Sequence, residues 1–279
     1  MKTILAVVGD GNAGPVLETA VLAAKGFGSH ITGLNALASE YAVVFGGEMG
    51  FSISSEVDRT LEREGHDRRE QAHALFEAVM RRHGIGAGAT AAGMSAEWRE
   101  ESGRQNAVVG SIGRVFDLIV VEHPDKPASF AEATLEDALF ESGRPVLMAP
   151  AKPPSSLGER VLIAWNGSTE TARTVAFAMP FLKRAKRVEV VSVEGAWTPG
   201  PSSADLAKSL KAHGIEAASR HIPAGSRQPG DVFLAEAKAM SADLLVKGAY
   251  TQSRLRQMIF GGATRQVIAG ADMPVLLAH

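Results

Sequence analysis

The sequence predicts an α/β protein made of two doubly wound domains, each with a five-stranded parallel sheet. Three observations lead to this prediction: the length of 279 residues, a set of landmarks that recurs in both halves, and apolar runs that alternate with helical patterns. Domains usually contain roughly 100–200 residues, so the chain is long enough for two. Its 45% of apolar and 22% of charged residues are typical of folded globular protein.

The recurring landmarks define the two domains. They pair residues 3–8 with 160–165, 83–85 with 213–215, 116–121 with 242–247, and 145–149 with 274–278. Landmarks repeated in one order indicate two copies of one fold. We therefore expect domains over residues 1–150 and 157–279, joined by a stiff linker that contains Pro153 and Pro154.

Each copy alternates strands with helices. In the second copy, strands are predicted at about 160–165, 187–193, 216–222, 243–247 and 274–278, and helices at about 169–184, 203–213, 230–240 and 262–270. The strands are expected to be nearly continuous apolar runs, as in parallel sheets covered by helices on both faces. The last strand of each copy would form an apolar edge, and pairing of these two edges would join the copies as an intramolecular pseudo-dimer.

The first copy carries an insertion at about 39–66. It begins with an apolar, aromatic and glycine-rich stretch from Ser39 to Phe51. Two interpretations are open: the segment packs on its own domain, or it offers a surface to a protein partner or an apolar ligand.

Composition excludes several classes of function. The chain has no cysteine, which excludes disulfides, thiolate metal sites and cysteine nucleophiles. The net charge of −2 argues against nucleic-acid binding, and no apolar run approaches the ~20 residues of a membrane span, so we expect a cytoplasmic protein.

No catalytic or metal-binding constellation is expected from the sequence. Ser168 has no neighbouring base in the sequence, and a Gly-x-Ser-x-Gly nucleophile motif is absent. Residues 9–14 have the glycine spacing of a dinucleotide fingerprint, but no acidic residue ends the second strand. A glycine-rich turn between strand and helix is therefore favoured there.

The loop after the fourth strand of the second copy has the chemistry of an anion site. Gly248 directly follows the strand, and Gly261 and Gly262 directly precede a helix, so backbone N–H groups can approach a phosphate closely. The segment also contains four cations and no acid: Lys247, Arg254, Arg256 and Arg265. The alternative is a solvated basic helix with glycine caps.

The two copies differ in their suitability for an anion. Residues 1–152 carry a net charge of −7 and residues 153–279 a net charge of +5, which favours an anionic ligand in the second copy. The corresponding loop of the first copy, from Glu122 to Pro127, is short and prolyl and lacks the glycine pair. Phosphate binding is not expected in the first copy.

At its glycine loop the sequence resembles the universal stress protein family in the tandem two-domain form. The nucleotide motif of that family is Gly, two residues, Gly, nine residues, Gly and then Ser or Thr. Gly248, Thr251, Gly261 and Gly262 keep this spacing, and Val161 to Ser168 is similar to the family's first strand and its following turn. The resemblance covers nearly the whole chain.

The resemblance implies an adenine nucleotide alpha-hydrolase-like fold, a pseudo-dimer or homodimer, and a regulatory or protective role. The implied ligand is ATP or a related adenine nucleotide, carried with Mg²⁺ and hydrolysed slowly at most. The implied binding residues are Ala164 and Asn166 near adenine and ribose, Val193 on the base, and Gly248, Thr251, Gly261, Gly262, Ala263 and Thr264 at the phosphates.

Three positions depart from the family's pattern. Asn166 replaces Asp, Thr251 replaces Gly, and Gly262 replaces Ser or Thr, for which the hydroxyl of Thr264 could substitute. The alternative function belongs to another class: a nucleotide-free scaffold that binds a protein or an apolar ligand through the insertion of the first copy.

Overall fold

The fold is taken from a computed structural model. It describes residues 1–9, 13–37, 55–88, 93–103, 105–124, 129–196, 198–249 and 262–279. In the amino-terminal half the elements are β1 (Thr3–Val7), α1 (Ala13–Phe27), β2 (His30–Leu37), α2 (Ser55–Arg82), β3 (Ser95–Ser102), α3 (Gln105–Ile112), a 3-10 turn (Gly113–Val115), β4 (Leu118–Val121), α4 (Phe130–Glu141) and β5 (Val146–Met148).

The carboxyl-terminal half repeats this alternation. Its elements are β6 (Arg160–Ala164), α5 (Thr169–Leu182), β7 (Arg187–Val193), α6 (Ser203–Ala212), β8 (Ala217–Ile222), α7 (Pro229–Ala239), β9 (Leu244–Gly248), α8 (Ala263–Gly270) and β10 (Val275–Ala278). The bounds predicted for this half agree with these to within two residues. Periodicity was sufficient here because the strands other than β8 are short apolar runs between clear turn signals.

The strands of the described residues form one sheet in the order β3-β2-β1-β4-β5-β10-β9-β6-β7-β8. Neighbours are parallel within each half, and β5 pairs with β10 antiparallel, with Leu147 opposite Leu276. The predicted pairing of the two final strands is therefore confirmed. In each half the strand order reverses once, between β1 and β4 and between β6 and β9.

Helices cover both faces of the sheet, as a doubly wound fold requires. One apolar cluster contains side chains of α1, α2, α5 and α6, and the other contains side chains of α3, α4, α7 and α8. Both clusters run across the junction of the halves, because Leu147 and Leu276 belong to the first and Val146 and Val275 to the second. Full burial of one such side chain stabilises by roughly 1.5–3 kcal/mol.

Aromatic contacts reinforce the junction outside the sheet. The rings of Phe27 and Phe181 meet edge to face with centroids 4.9 Å apart, and the Arg184 guanidinium lies 5.1 Å from the centroid of Phe27. On the other face, Phe140 contacts the ring of His279 at 4.6 Å. The halves are thus joined by packing on both faces as well as by strand pairing.

The two edge strands, β3 and β8, differ from the apolar expectation. Most residues of β8 are exposed, and they include Arg220 and His221, although a nearly continuous apolar run was predicted for this strand. Strand β3 presents Glu97, Arg99 and Glu100. Each of these strands has one neighbour in the sheet formed by the described residues, and charged side chains at a sheet edge oppose pairing with other chains.

An aspartate at the start of the fourth strand fixes the first strand in both halves. Asp117 accepts hydrogen bonds from the backbone nitrogens of Lys2 at 2.6 Å and Thr3 at 3.2 Å, which hold the pKa of its carboxyl below the usual value. Asp243 accepts from the backbone nitrogens of Arg160 at 2.8 Å and Glu159 at 3.2 Å.

The insertion predicted at about 39–66 overlaps the start of α2. Residues 38–54, which include the glycine-rich stretch from Ser39 to Phe51, lie outside the described residues, as do residues 10–12 of the glycine triple at 9–14. None of the described helices is both long enough and apolar enough to span a bilayer.

Candidate functional site

The carboxyl ends of β6 and β9 lie side by side where the strand order of the second half reverses. The register places Ala164 of β6 beside Lys247 of β9, so the residues that follow each strand share one edge of the sheet. In open α/β sheets this is the place where ligands bind. The structure therefore brings Asn166 and Gly248, predicted from separate segments, to the same edge.

Asn166 shapes the turn between β6 and α5. Its side-chain Oδ1 accepts hydrogen bonds from Thr171 Oγ1 at 2.6 Å and from the backbone nitrogen of Ser168 at 3.2 Å. Its backbone oxygen accepts from the backbone nitrogen of Thr198 at 2.9 Å. Asn166 thus orders the start of α5, a role that the sequence analysis did not predict.

Gly248 permits close packing between the end of β9 and the start of α5. A Cβ atom at this position would overlap the backbone nitrogen of Thr171 and lie 2.6 Å from its Oγ1. Only glycine avoids this overlap, so packing against α5 is sufficient to require glycine here. The sequence analysis assigned Gly248 to phosphate approach, and the local sequence contains no sign of this helix contact.

The amino terminus of α8 differs from those of the other helices whose N-caps the structure describes, α4 to α7. The N-caps of α4, α5 and α6 are Ser129, Ser168 and Ser202, and each side chain accepts a hydrogen bond from its own helix. Those three helices and α7 also have an acidic residue in the first turn. Among α4 to α8, only α8 lacks both a side-chain cap and an acid in its first turn.

The first turn of α8 consequently has the features of an anion-binding terminus. Its N-cap is Gly262, and the backbone nitrogens of Ala263 and Thr264 donate to no atom within the part of the chain that the structure describes. Such N–H groups and the positive end of the helix dipole attract phosphate and other anions. Thr264 is buried at this terminus and brings a hydroxyl group.

Lys247 links the end of β9 to α8. Its side chain is only 5% exposed, and Nζ donates hydrogen bonds to the backbone oxygen of Gly248 and to Thr264 Oγ1, both at 2.9 Å. Burial lowers the pKa of this amine to about 8. The sequence analysis counted Lys247 among the cations of the loop but omitted it from the binding residues. Its position could have identified it, because a lysine stands at the end of an apolar strand where the first copy has Val121.

Ala164 and Val193 form the apolar side of the same edge. Both side chains are buried in the cluster that also contains Ala249 and Val232. This position is compatible with the predicted contact to a base, which stays a prediction. Thr251, Gly261, Arg254 and Arg256 lie outside the described residues, and Arg265 is exposed on α8.

The equivalent edge of the first half has different chemistry. Val121 and Glu122 occupy the positions of Lys247 and Gly248. The helix that follows, α4, begins at a serine cap, since Ser129 Oγ accepts from the backbone nitrogen of Glu132 at 3.2 Å. A negative side chain and an occupied cap both oppose an anionic ligand.

Comparisons with known proteins agree with the fold and with the resemblance noted in the sequence. Residues 158–279 match the sequence model described as "Universal stress protein family". A stretch of 49 residues is 37% identical to the stress response protein NhaX of Bacillus subtilis (strain 168), and it covers 18% of this chain and 30% of that protein.

Solved structures extend the likeness of fold to nearly the whole chain. A universal stress protein from Archaeoglobus fulgidus DSM 4304 superposes with a TM-score of 0.71 at 19% identity, over 99% of this chain and 95% of that one. A putative universal stress protein from Pseudomonas aeruginosa UCBPP-PA14 superposes with a TM-score of 0.57 at 19% identity, over 100% of this chain and 93% of that one.

Proposed function

We propose that this chain is a tandem stress protein that binds an adenine nucleotide in its second half, because residues 158–279 match the universal stress protein model and the first half repeats the same fold. The proposed domains are residues 1–150 and 157–279. The proposed role is regulatory or protective, in the cytoplasm, with ATP as the principal ligand.

One observation carries the proposal: at the edge where the strand order reverses, the first turn of α8 has backbone N–H groups without a partner among the described residues. The backbone nitrogens of Ala263 and Thr264 supply donors, and the buried amine of Lys247 supplies positive charge beside them. Phosphate groups are the anions that such termini commonly bind. Ala164 and Val193 are buried apolar residues at the same edge, beside the position proposed for the base.

In this proposal the predicted residues have different roles. Ala263 and Thr264 hold phosphate, together with Thr251, Gly261 and Gly262. Asn166 orders the turn beside the ribose, and Gly248 keeps α5 close to β9. Mg²⁺ would be carried by the phosphates of the ligand, since the described residues contain no group of three histidine or carboxylate side chains able to hold an ion.

Substitution of Gly262 by Asp tests this proposal without weakening the helix. The backbone at Gly262 is extended, with φ of −96° and ψ of 163°, which any residue can adopt. Aspartate is a favoured N-cap that would bind the helix N–H groups and add negative charge. We expect calorimetric titration with Mg²⁺ and ATP to show an affinity reduced by roughly 30-fold or more, a loss of about 2 kcal/mol.

The matched control is Ser129→Asp, at the corresponding cap of α4 in the first half. It should leave ATP binding unchanged, because the proposed site lies in the second half. Equal affinity in Gly262→Asp and wild type would contradict the proposed site. Wild type that binds no ATP at millimolar concentration would favour the scaffold alternative, and deletion of residues 41–51 would then be the next test.

A further inference from the structure

Lys247 is a buried cation without a countercharge in the part of the chain that the structure describes. Glu189, also buried, pairs with Arg187 and Arg220, and the buried Asp243 accepts two backbone N–H groups. Within the described ranges, the amine of Lys247 forms hydrogen bonds only with a backbone oxygen and a hydroxyl group. A buried charge with neutral partners is costly, which is why burial lowers the pKa of this amine.

The position of Lys247 adds to this cost. Its Nζ lies 2.9 Å from Thr264 Oγ1, in the first turn of α8, where the helix dipole is positive. Two positive features, a lysine and a helix terminus, therefore face the same point. An anion bound there would be attracted by both and would remove the repulsion between them.

The hydrogen bond to Thr264 connects the charge of Lys247 to the orientation of a donor. A protonated amine has donors only, so Thr264 Oγ1 must accept, and its own hydrogen is directed to another group. A neutral amine has a lone pair that can accept the hydrogen of Thr264 instead. The charged lysine thus leaves the Thr264 hydroxyl as a donor for a ligand, and the neutral lysine can withdraw it.

Other titratable groups on the surrounding elements do not supply the missing charge. They are Arg265 of α8, Asp231 of α7, Glu170 of α5 and His279 after β10, whose Nδ1 lies 3.2 Å from the backbone oxygen of Ala249. Among the described residues, none of them forms an ion pair with Lys247.

We propose that Lys247 is a positioning residue for the phosphates of the ligand, and that anion binding and protonation of Lys247 favour one another. The inference rests on the proposed nucleotide site and goes beyond it, because it makes binding a proton-coupled event. Bound phosphate supplies the countercharge that the described residues do not provide. The charged amine in turn presents the Thr264 hydroxyl to the phosphate.

The test measures the affinity for Mg²⁺-ATP at pH 7.5 and 9.5 in wild type, in Lys247→Met and in the control Lys238→Met, an exposed lysine of the same half. Between these two pH values, the affinity of wild type and of the control should fall about tenfold for each unit by which bound ligand raises the pKa of the Lys247 amine. Lys247→Met should bind more weakly than wild type at pH 7.5, and its affinity should not vary with pH.

NMR of lysine ¹³Cε atoms gives a second readout that a purely structural role would not change. The signal absent from Lys247→Met identifies the residue, and its titration midpoint should rise by at least roughly one pH unit when ATP is added. Unchanged titration together with equal affinity in Lys247→Met would overturn the inference while leaving nucleotide binding intact.

Inorganic triphosphate separates this inference from the proposed function. If triphosphate binds wild type and raises the Lys247 titration midpoint but ATP does not bind, the inference on Lys247 holds and the nucleotide proposal fails. If neither anion binds wild type, both fail.

Discussion

The carboxyl ends of β4 and β9 occupy equivalent places in the two halves and have opposite chemistry. Both strands follow an aspartate that binds the backbone of the first strand, Asp117 in one half and Asp243 in the other. The residues at the carboxyl ends of the two strands are different. Val121 and Glu122 stand in the first half where Lys247 and Gly248 stand in the second.

The helices that follow these strands also differ in how well their amino termini suit an anion. Helix α4 begins with a serine cap and an acid, whereas α8 begins with glycine and has neither. The residues that the halves share hold strands in register, and the residues in which they differ decide whether an anion is attracted. The residues that repeat in both halves therefore identify the shared fold, and the residues that differ between the halves identify the candidate site.

The largest effect on stability is expected from Gly248→Ala. The new Cβ would overlap the backbone of Thr171 at the start of α5, so the free energy of unfolding should fall by about 3 kcal/mol, the upper end of typical overpacking costs. Urea denaturation measures this loss. Gly86→Ala is the control, because a Cβ there meets nothing within 4 Å, and an equally large loss in both variants would contradict the packing argument.

An effect of similar size and opposite sign is expected from Lys247→Met. Folding lowers the pKa of this amine from 10.5 to about 8, so the unfolded chain binds more protons between these values and wild-type stability rises with pH across them. Below pH 8 the folded lysine costs about 3 kcal/mol, which Lys247→Met should recover. The difference between the two proteins should shrink by pH 10.

Urea denaturation at pH 7.5 and 10 checks this expectation. Val121→Lys, the reverse exchange in the first half, should destabilise the protein at pH 7.5. If the free energies of unfolding of wild type and Lys247→Met differed by the same amount at both pH values, burial of the charged lysine would not be destabilising.

The smallest effects are expected at the two helix caps. Ser129→Ala removes a cap from α4 and should lower the free energy of unfolding by about 1 kcal/mol, whereas Gly262→Ser should raise it by a few tenths. Thermal denaturation of the two variants can resolve the opposite signs. A loss of stability in Gly262→Ser would mean that the terminus of α8 is not open as described.

Much of the fold could be predicted because nearby residues specify most of its helices and strands, and because the same pattern occurs in both halves. Apolar runs fixed the strands of the second half to within two residues, and the apolar final strands predicted the pairing of β5 with β10. The prediction of an apolar run was wrong for β8, whose own residues include Arg220 and His221; only its position at the sheet edge depends on topology.

The site was less predictable because it depends on distances between segments far apart in the chain. The contact between Gly248 and Thr171, and the hydrogen bond from Lys247 to Thr264, follow from the packing of α5 and α8 against β9. Glycine spacing pointed to the loop after β9 as the candidate site, but it could not distinguish a glycine that allows close packing of a helix from one that allows close approach of a phosphate.

The antiparallel pairing of β5 with β10 also sets an order of events during synthesis. β5 emerges from the ribosome a whole domain before its partner, so its apolar edge stays open while the second half is made. Closure depends on the last strand, and a nascent or shortened chain without β10 would offer that edge to another copy. The pairing of β10 with β5 therefore closes within one molecule an apolar edge that would otherwise be available for strand exchange between copies.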